Sequence, residues 1–402
     1  PFLFGVRTMR LTRKLSLTCL AVTFSPGLAS AAISLTNWET YSQGEEQEAA
    51  DLANDLITMM KKEYADQGKR TLRDAHPRGI GCVEAKFTVE PNIAKGQQTG
   101  VFAAPGKTYD ALIRFSSSLG PVGDHVGDAR GMAIKLFDVA GTKLLEDQPS
   151  AVTHDFLLIN SPIFPAATTH QFAGLVKLRL NPTYIVKYLA EGPIKNALVL
   201  KNALALTQGN PNNGKSLAAM PFYSMTAYLL KGDAVNIPVK YAVRPCEPVS
   251  ARPLNGSETE LRDDLQDRLD AGSLCYKFGV QFFAQGKGLQ VEDPSKEWAE
   301  KDAPIVDFAT IKIPKQVFRT DQKLRYCDAL SFQPWHAIAQ HQPLGNINRA
   351  RKTIYEAISE YRHRHNMEVG LYPEPTSLAA WNDLKDPSYS VWKSVKMPAT
   401  AE

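Results

Sequence analysis

The order of its secondary-structure patterns constrains the fold of this chain more than any other feature. Between about residues 83 and 160, short β-type runs are separated by Gly, Pro and Asp: EAKFTVE, YDALIRFSS, GMAIKLFDV and HDFLLIN. Residues 171–207 have helical spacing interrupted at Pro182 and Pro193. Strand character then returns in FYSMTAYLL, PVKYAVRP, SLCYKFGVQFFAQ and PIVDFATIKIP. This order predicts an α+β fold whose mainly antiparallel sheet closes into a barrel.

Three further helices frame this sheet. The composition and spacing of EEQEAADLANDLITMMKKEYADQG predict a helix near the N-terminus, and ETELRDDLQDRLDAG predicts one that ends at Gly272. A closing helix is expected over roughly 346–366. Residues 315–345 have little periodicity, so we expect an extended connection there.

The N-terminus has the pattern of an export signal. From Met9 a basic start is followed by a short apolar run and by small residues, and Ala29-Ser30-Ala31 fits an A-x-A cleavage site. Residues 1–31 are therefore expected to be upstream residues and a secretory signal peptide, with Ala32 as the mature start. The apolar run is too short for a stable membrane span. We expect a periplasmic or secreted protein.

Charge and cysteine content narrow the function classes. The 402 residues carry a net charge of only +4, and no dense basic run with interleaved aromatics indicates nucleic acid as a partner. Besides Cys19 in the signal, the chain has four cysteines without C-x-x-C spacing, so a zinc or iron–sulfur cage is not expected. In an exported chain they allow two disulfides in three full pairings. These cysteines are Cys82, Cys246, Cys275 and Cys327.

The closing helix carries an unusual set of polar residues in RARKTIYEAISEYRHRHN. At about 3.6 residues per turn, Arg351, Tyr355 and Arg362 fall within about 40° of one another. One helix face therefore presents a phenol with a cation one turn before it and another two turns after it. Taken alone, this pattern also fits a solvated basic face.

A second group of residues precedes and follows the first predicted strands. In RDAHPRGIGCVEAKFTV, His76 is followed by glycines at 79 and 81, which would allow a tight turn before the strand. YDALIRFSSS places Arg114 and Ser116 on one strand face. GDARGMAIKL adds Asp128 and Arg130 at a turn. HDFLLINSPIF adds Asn160 and Phe164 after an apolar run.

Together these strings resemble the haem catalase superfamily, in particular its small catalase-related members. The similar motifs are R-x-x-H-x-x-G-x-G at 73–81, I-R-F-S at 113–116, D-x-R-G-x-A-x-K at 128–135, N-S-P-I-F at 160–164, and R-x-x-x-Y with an arginine seven residues on. They occur in the family's order over roughly residues 70–366. The resemblance implies one catalase-like haem-binding domain over 32–402, with an antiparallel β-barrel core, helical excursions and a tail at 367–402.

The resemblance also implies roles for individual residues on the closing helix. Tyr355 matches the tyrosinate that ligates the haem iron, and Arg351 matches the arginine that keeps the phenol ionised. Arg73, Arg114 and Arg362 match positions that neutralise the haem propionates, for which arginine forks are suited.

On the distal side, His76 matches the catalytic base, Ser116 its hydrogen-bond partner and Phe164 an aromatic of the pocket. A gapless match puts Ile159 at the catalytic amide, and a one-residue shift in the loop would restore Asn160, which we predict. Ser359 stands where the long enzymes carry histidine in R-x-x-x-Y-x-x-x-H.

The activity implied is decomposition of hydrogen peroxide by a haem b catalase or peroxidase, an oxidoreductase that works through a high-valent iron intermediate. In an exported protein this activity would serve defence against oxidative stress. One alternative is a peroxidase or allene oxide synthase-like enzyme that acts on organic or fatty-acid hydroperoxides. A second is a non-enzymatic exported haem-binding protein, and a third is an α+β domain without cofactor. The resemblance is also compatible with a homo-oligomer.

Overall fold

Nine β-strands form one sheet in which every neighbouring pair is antiparallel. The structure is a computed structural model that describes residues 38–120, 122–250, 254–367 and 374–384. The predicted signal peptide lies outside these residues. The strands are β1 (Arg78–Val89), β2 (Thr108–Ser117), β3 (Arg130–Leu136), β4 (His154–Ile159), β5 (Phe222–Tyr223), β6 (Tyr228–Gly232), β7 (Val235–Pro245), β8 (Leu274–Phe282) and β9 (Ile305–Ile313).

The sheet closes into a barrel through its shortest strand. The order along the sheet is β5-β4-β3-β2-β1-β9-β8-β7-β6, and β5 also pairs with β7. Eight strands therefore form a ring, while β6 is hydrogen-bonded to β7 outside it. Closure removes the exposed sheet edges that would otherwise promote aggregation. The predicted α+β fold with a closed antiparallel barrel is confirmed.

Eight helices occur in the described ranges. They are α1 (Glu45–Glu63), α2 (Thr169–Leu180), α3 (Ile185–Glu191), α4 (Pro193–Leu206), α5 (Glu260–Ala271), α6 (Asp321–Ala329), α7 (Asn346–His365) and α8 (Ala379–Asp383). α2 to α4 leave the barrel between β4 and β5, with Pro182 and Pro193 at helix starts as their sequence positions predict. None of the helices in the described part of the chain has the length and hydropathy needed to cross a membrane.

The expectation of an extended connection over residues 315–345 is wrong for its middle part. α6 begins after Thr320, whose hydroxyl accepts a hydrogen bond from the backbone N–H of Lys323. This N-cap stabilises a helix too short and too polar to produce a strong apolar period. The helix is held to the barrel by a disulfide between Cys82 in β1 and Cys327. A second disulfide, Cys246–Cys275, completes one of the three pairings that the sequence allowed.

The barrel interior is filled by aromatic side chains. Phe87, Phe156 and Phe278 come from different strands, and their ring centres lie 4.8–6.3 Å apart. Outside the barrel, α1 packs against α7 through a separate apolar cluster that includes Leu52 and Ile354. Helix α1, together with Val176 of α2, therefore holds α7 in place.

Candidate active site

Arg351 and Tyr355 form a direct contact on α7. Arg351 Nη2 donates a hydrogen bond to Tyr355 Oη at 3.2 Å, and the guanidinium carbon lies 5.1 Å from the centre of the phenol ring. Arg351 Nη1 donates to Asn348 Oδ1 at 3.0 Å, which fixes the other side of the fork. Burial alone would lower the pKa of Arg351, but the phenols of Tyr355 and Tyr228 outweigh it and raise the pKa. A charged guanidinium is thus held against the phenol oxygen.

The same helix face lines a cavity of about 580 Å³. Tyr355, Ser359, Arg362 and His363 contribute from α7, and Arg73 and Ala75 contribute from the loop that precedes β1. This volume is in the range of small-molecule and cofactor sites. The cavity joins the two residue groups that the sequence places almost 300 positions apart.

Arg73 and Arg362 line one side of this cavity, and Arg114 lies near them through a contact with Asp328. Arg73 Nη2 donates to the carbonyl oxygens of Asp328 and Leu330 at 2.8 and 2.7 Å, and Arg362 donates to the same two carbonyls. Arg114 Nη2 lies 3.4 Å from Asp328 Oδ1. The C-terminal end of α6 and Leu330 after it, tied to β1 by the Cys82–Cys327 disulfide, therefore gather guanidinium groups from three parts of the chain.

The arginines of this cluster lie close enough to affect one another. Burial and then the charges of Arg114 and Arg362 lower the pKa of Arg73. Burial also lowers the pKa of Arg114, although the Asp328 carboxylate opposes that shift. The hydrogen bonds that Arg73 donates to backbone carbonyls do not neutralise its charge. Guanidinium forks of this kind are suited to binding carboxylates.

His76 lies at the start of β1 in a constrained backbone conformation. Both Ala75 and His76 have positive φ, at 56° and 63°, which non-glycine residues rarely adopt and which costs of order 1–3 kcal/mol each. The buried Nδ1 of His76 has no hydrogen-bond partner within the described chain. Strain and an unpartnered ring nitrogen at one residue point to a functional position.

The side chains of Ser116 and His76 both lie close to Gly131. A Cβ atom added at Gly131 would lie 2.6 Å from Ser116 Oγ and 2.8 Å from His76 Nδ1. Gly131 pairs with Ser116 across β2 and β3, so the absence of a side chain at Gly131 is what admits the imidazole. The structure thus places both residues against the same glycine, but His76 Nδ1 receives no hydrogen bond from Ser116.

The electrostatic surroundings keep the His76 imidazole neutral. Burial lowers its pKa to about 3, and Arg114, Arg351, Arg130 and Arg73 contribute in the same direction. Arg351 of α7 is one of the charges that contribute to this shift. Ala75, the residue before His76, lines the same cavity as Tyr355.

The prediction that a shifted Asn160 amide faces His76 is wrong. Strand β4 pairs with β3 without a register shift through Ile159, which stands opposite Gly131. Asn160 Oδ1 accepts from the backbone N–H of Arg130 at 2.8 Å and from Asn210 Nδ2 at 3.1 Å. Its carboxamide is therefore used to hold the loop after α4.

Ile159 takes the position beside His76 instead. Directly opposed residues on antiparallel strands have Cβ atoms about 5 Å apart on one sheet face. Since the Cβ position of Gly131 lies under His76 and Ser116, this pairing puts the Ile159 side chain on their face. The wall next to the imidazole is therefore aliphatic.

Other sequence expectations have mixed outcomes. Phe164 packs against Phe172 of α2 with ring centres 4.9 Å apart, and its role in a distal pocket stays a prediction.

Gly79 and Gly81 do not turn the chain through positive φ. Side chains there would collide with Asp328 Oδ1 at 2.9 Å and with the Phe318 ring at 2.7 Å. These glycines permit close packing rather than a tight turn.

Sequence patterns did not identify two residues of the site, Asp328 and His363. Asp328 binds the arginines mainly through its backbone carbonyl, and no sequence pattern marks a carbonyl. His363 is half-buried against the cavity, where burial lowers its pKa to about 4. Its position eight residues after Tyr355, near the same helix face, was the available signal.

Comparison with known proteins agrees with this arrangement. The family model described as Catalase matches residues 32–183. A catalase from Ascaris suum is 23% identical over 300 residues, which cover 71% of this chain. By sequence, the chain is thus similar to catalases over its N-terminal part and to one curated catalase over most of its length.

Structural similarity to solved catalases extends over most of this chain. Catalase A from Saccharomyces cerevisiae has a TM-score of 0.60 at 17% identity, with 84% of this chain and 71% of that one covered. A bacterial catalase has a TM-score of 0.59 at 14% identity, with 80% and 62% covered. At these identities the likeness shows a shared fold. The chain spans about half, 54%, of the length of the Ascaris suum catalase.

Proposed function

We propose that this chain binds haem in the cavity beside α7 and decomposes hydrogen peroxide. One observation carries the proposal: a buried arginine holds a phenol oxygen at 3.2 Å, on the cavity that also receives a cluster of buried cations. The proposed cofactor is haem b, whose two carboxylates suit the guanidinium groups of Arg73, Arg114 and Arg362. When bound, haem iron supplies the electron-transfer chemistry that peroxide cleavage needs.

The residues of the chain have distinct tasks in this proposal. Tyr355 would provide the iron ligand, and the positive charge of Arg351 would stabilise it as a phenolate. His76 would take a proton from the peroxide and return it to the departing oxygen, work that suits a neutral imidazole. Ser116 would help to hold the imidazole ring of His76 in position. Arg73, Arg114 and Arg362 would bind the haem carboxylates.

The first test is the ultraviolet–visible spectrum of the haem-loaded protein beside its Tyr355→Phe variant. We expect a ferric tyrosinate-type spectrum that is lost or altered in the variant. Tyr361→Phe is the matched control, because this half-buried tyrosine lies on the same helix against His365 rather than at Arg351. Equal spectra for all three proteins would exclude Tyr355 as the ligand, and a colourless protein despite ample haem would refute the proposal.

The second test separates haem binding from catalysis. His76→Ala is expected to lower hydrogen peroxide turnover by 10²-fold or more at equal haem occupancy, as typical for loss of a general acid–base group. Unchanged turnover would exclude His76 as the base. Haem binding without turnover of any peroxide, in the unmodified protein, would indicate a non-enzymatic haem-binding protein.

A second candidate function follows from Ile159. An aliphatic wall beside the catalytic base offers no amide to hold a small peroxide but accommodates the alkyl part of an organic hydroperoxide. We therefore propose organic or fatty-acid hydroperoxides as the alternative substrate class. Relative kcat/KM values for hydrogen peroxide, cumene hydroperoxide and a fatty-acid hydroperoxide distinguish the two, and negligible organic turnover would remove this candidate.

We also propose that the protein works outside the cytoplasm, in the periplasm or secreted. The signal-like segment before Ala32 motivates this, and two disulfides support it because such bonds persist in oxidising compartments. Fractionation of the native host followed by N-terminal sequencing of the mature protein tests it. A cytoplasmic chain that retains residues 1–31 would contradict it.

A further inference from the structure

Helices α3 and α4 expose an apolar surface that the proposed peroxide chemistry does not use. Ile194 is 86% exposed, Val186 76%, Leu204 58% and Leu198 42%. These four are among the nine large hydrophobic side chains that are exposed in the described part of the chain. α4 is apolar on nearly all sides in sequence, yet it lies at the surface, and such a helix normally has a partner.

The exposed residues of α4 form one continuous face. At 100° per residue, Ile194, Leu198 and Leu204 lie within an arc of about 120°, with Ala197 and Ala205 between them. The opposite side is anchored, because Asn196 Nδ2 donates to the Tyr188 carbonyl at 2.6 Å and Val199 is buried. The apolar face is therefore held outward by the packing of the helix.

Positive charge is concentrated in the same part of the chain. Four of the 46 cationic residues lie in residues 1–31, which have no acidic residue, so residues 32–402 have as many cationic as acidic residues, 42. Between Asp155 and Asp233, however, seven cationic residues accompany the single acidic Glu191. The cations are Lys177, Arg179, Lys187, Lys195, Lys201, Lys215 and Lys231. Arg179 is paired with Glu63 and Asp74, and Lys187 is paired with Glu191. The stretch that contains the helical excursion is thus basic in sequence, although residues 32–402 as a whole carry no net charge.

We propose that the exposed face of α4, defined by Ile194, Leu198 and Leu204 with Lys195 and Lys201, is a docking surface for anionic phospholipid membranes. Aliphatic side chains would enter the boundary between headgroups and acyl chains, while lysines bind the lipid phosphates. This is attachment at the membrane surface. It requires no spanning helix.

The charge distribution favours lipid over a second copy of the chain. Lys201 lies inside the apolar arc, about 20° from Ile194 on the helix. A two-fold symmetric contact through this face would bring the lysine of each copy towards the apolar face and lysine of the other. At a membrane, the same side chain extends its ammonium group to the anionic headgroups while its stem covers apolar surface.

The test is flotation of the chain from Ala32 onward with vesicles. Residues from Trp38 form a compact unit by themselves, and the apolar leader would otherwise bind lipid on its own account. Vesicles of phosphatidylglycerol and phosphatidylcholine in equal parts are compared with phosphatidylcholine alone, at low and high salt. We expect binding to the anionic vesicles that high salt weakens.

Two paired variants make the test specific. Ile194→Glu with Leu204→Glu should lower binding at least tenfold. Val306→Glu with Val317→Glu adds the same charge at two other exposed valines, 47% and 58% accessible, and should leave binding within about threefold. Lys195→Gln with Lys201→Gln should lower binding about 30-fold, at about fivefold per lysine.

Equal flotation of the two glutamate pairs would overturn the proposal, as would a wild-type protein that floats with neither vesicle. Sedimentation equilibrium gives the other decisive outcome: a dimer abolished by Ile194→Glu with Leu204→Glu, without vesicle binding, would assign the face to a second copy. Thermal unfolding of all variants controls for folding. If the first glutamate pair unfolds, the lysine pair decides the question.

Discussion

Substituting alanine for Gly131 tests how the base and its serine are packed. The added Cβ would lie 2.6 Å from Ser116 Oγ and 2.8 Å from His76 Nδ1. To regain contact distances near 3.5 Å, the two groups would have to move by about 0.9 and 0.7 Å. Gly131 does not have a positive φ, so alanine fits the backbone and the penalty is steric alone.

The expected cost follows from these distances. Overpacking in a rigid interior typically costs about 1–3 kcal/mol, which lowers Tm by about 1–4 °C for a unit of this size. His76 has the smaller set of contacts, because its Nδ1 has no partner and its backbone is already strained. We therefore expect the imidazole to be displaced, and a misplacement near 1 Å can reduce turnover about 10²-fold.

The assay compares Tm, haem content and peroxide turnover of Gly131→Ala with those of Gly272→Ala. Gly272 follows α5 with φ −177°, and an added Cβ there meets no atom within 4 Å. That control should be neutral or more stable by about 0.4–1 kcal/mol, because alanine restricts the unfolded chain. If Gly131→Ala matches the control in both Tm and turnover at equal haem content, the packing argument is refuted.

Three more outcomes are expected. Ile159→Asn should raise the ratio of hydrogen peroxide turnover to cumene hydroperoxide turnover about tenfold or more, because it puts an amide beside the base. The control Ile159→Leu should leave this ratio unchanged. An unchanged ratio in Ile159→Asn would contradict the reasoning from the aliphatic wall. An imidazole is mainly neutral only above its pKa, and the pKa of His76 is lowered to about 3. Acid should therefore inactivate the base only far below pH 6.5, and kcat/KM should stay level from pH 7 to about pH 4.5. A loss of kcat/KM with a midpoint near pH 6.5 would contradict the role of a buried, neutral His76. Replacing Cys82 and Cys327 with serine should cost about 2–5 kcal/mol of unfolding free energy and weaken haem retention, since the carbonyl of Asp328 then loses its tether to β1; chemical denaturation and haem-transfer rates check both parts.

The sequence predicted the main elements of the fold because each carries its own periodic signal. The alternating runs of β1 to β4 and the amphipathic α1 and α7 occur where the patterns place them. α6 was missed because its helix depends on the cap from Thr320 and on a disulfide across 245 residues rather than on its own spacing. Ordered motifs located His76, Ser116, Arg351 and Tyr355, but not their contacts.

The sequence by itself determined the chemistry that is available: a phenol with cations at helical offsets, and a histidine before a glycine-containing strand. The tertiary structure decided which residue stands beside that histidine. A shift of one residue turns a strand side chain to the opposite sheet face, and the pairing of Ile159 with Gly131 sends the Asn160 amide to Arg130 and Asn210. Register depends on contacts between distant strands, which no local pattern in one sequence encodes.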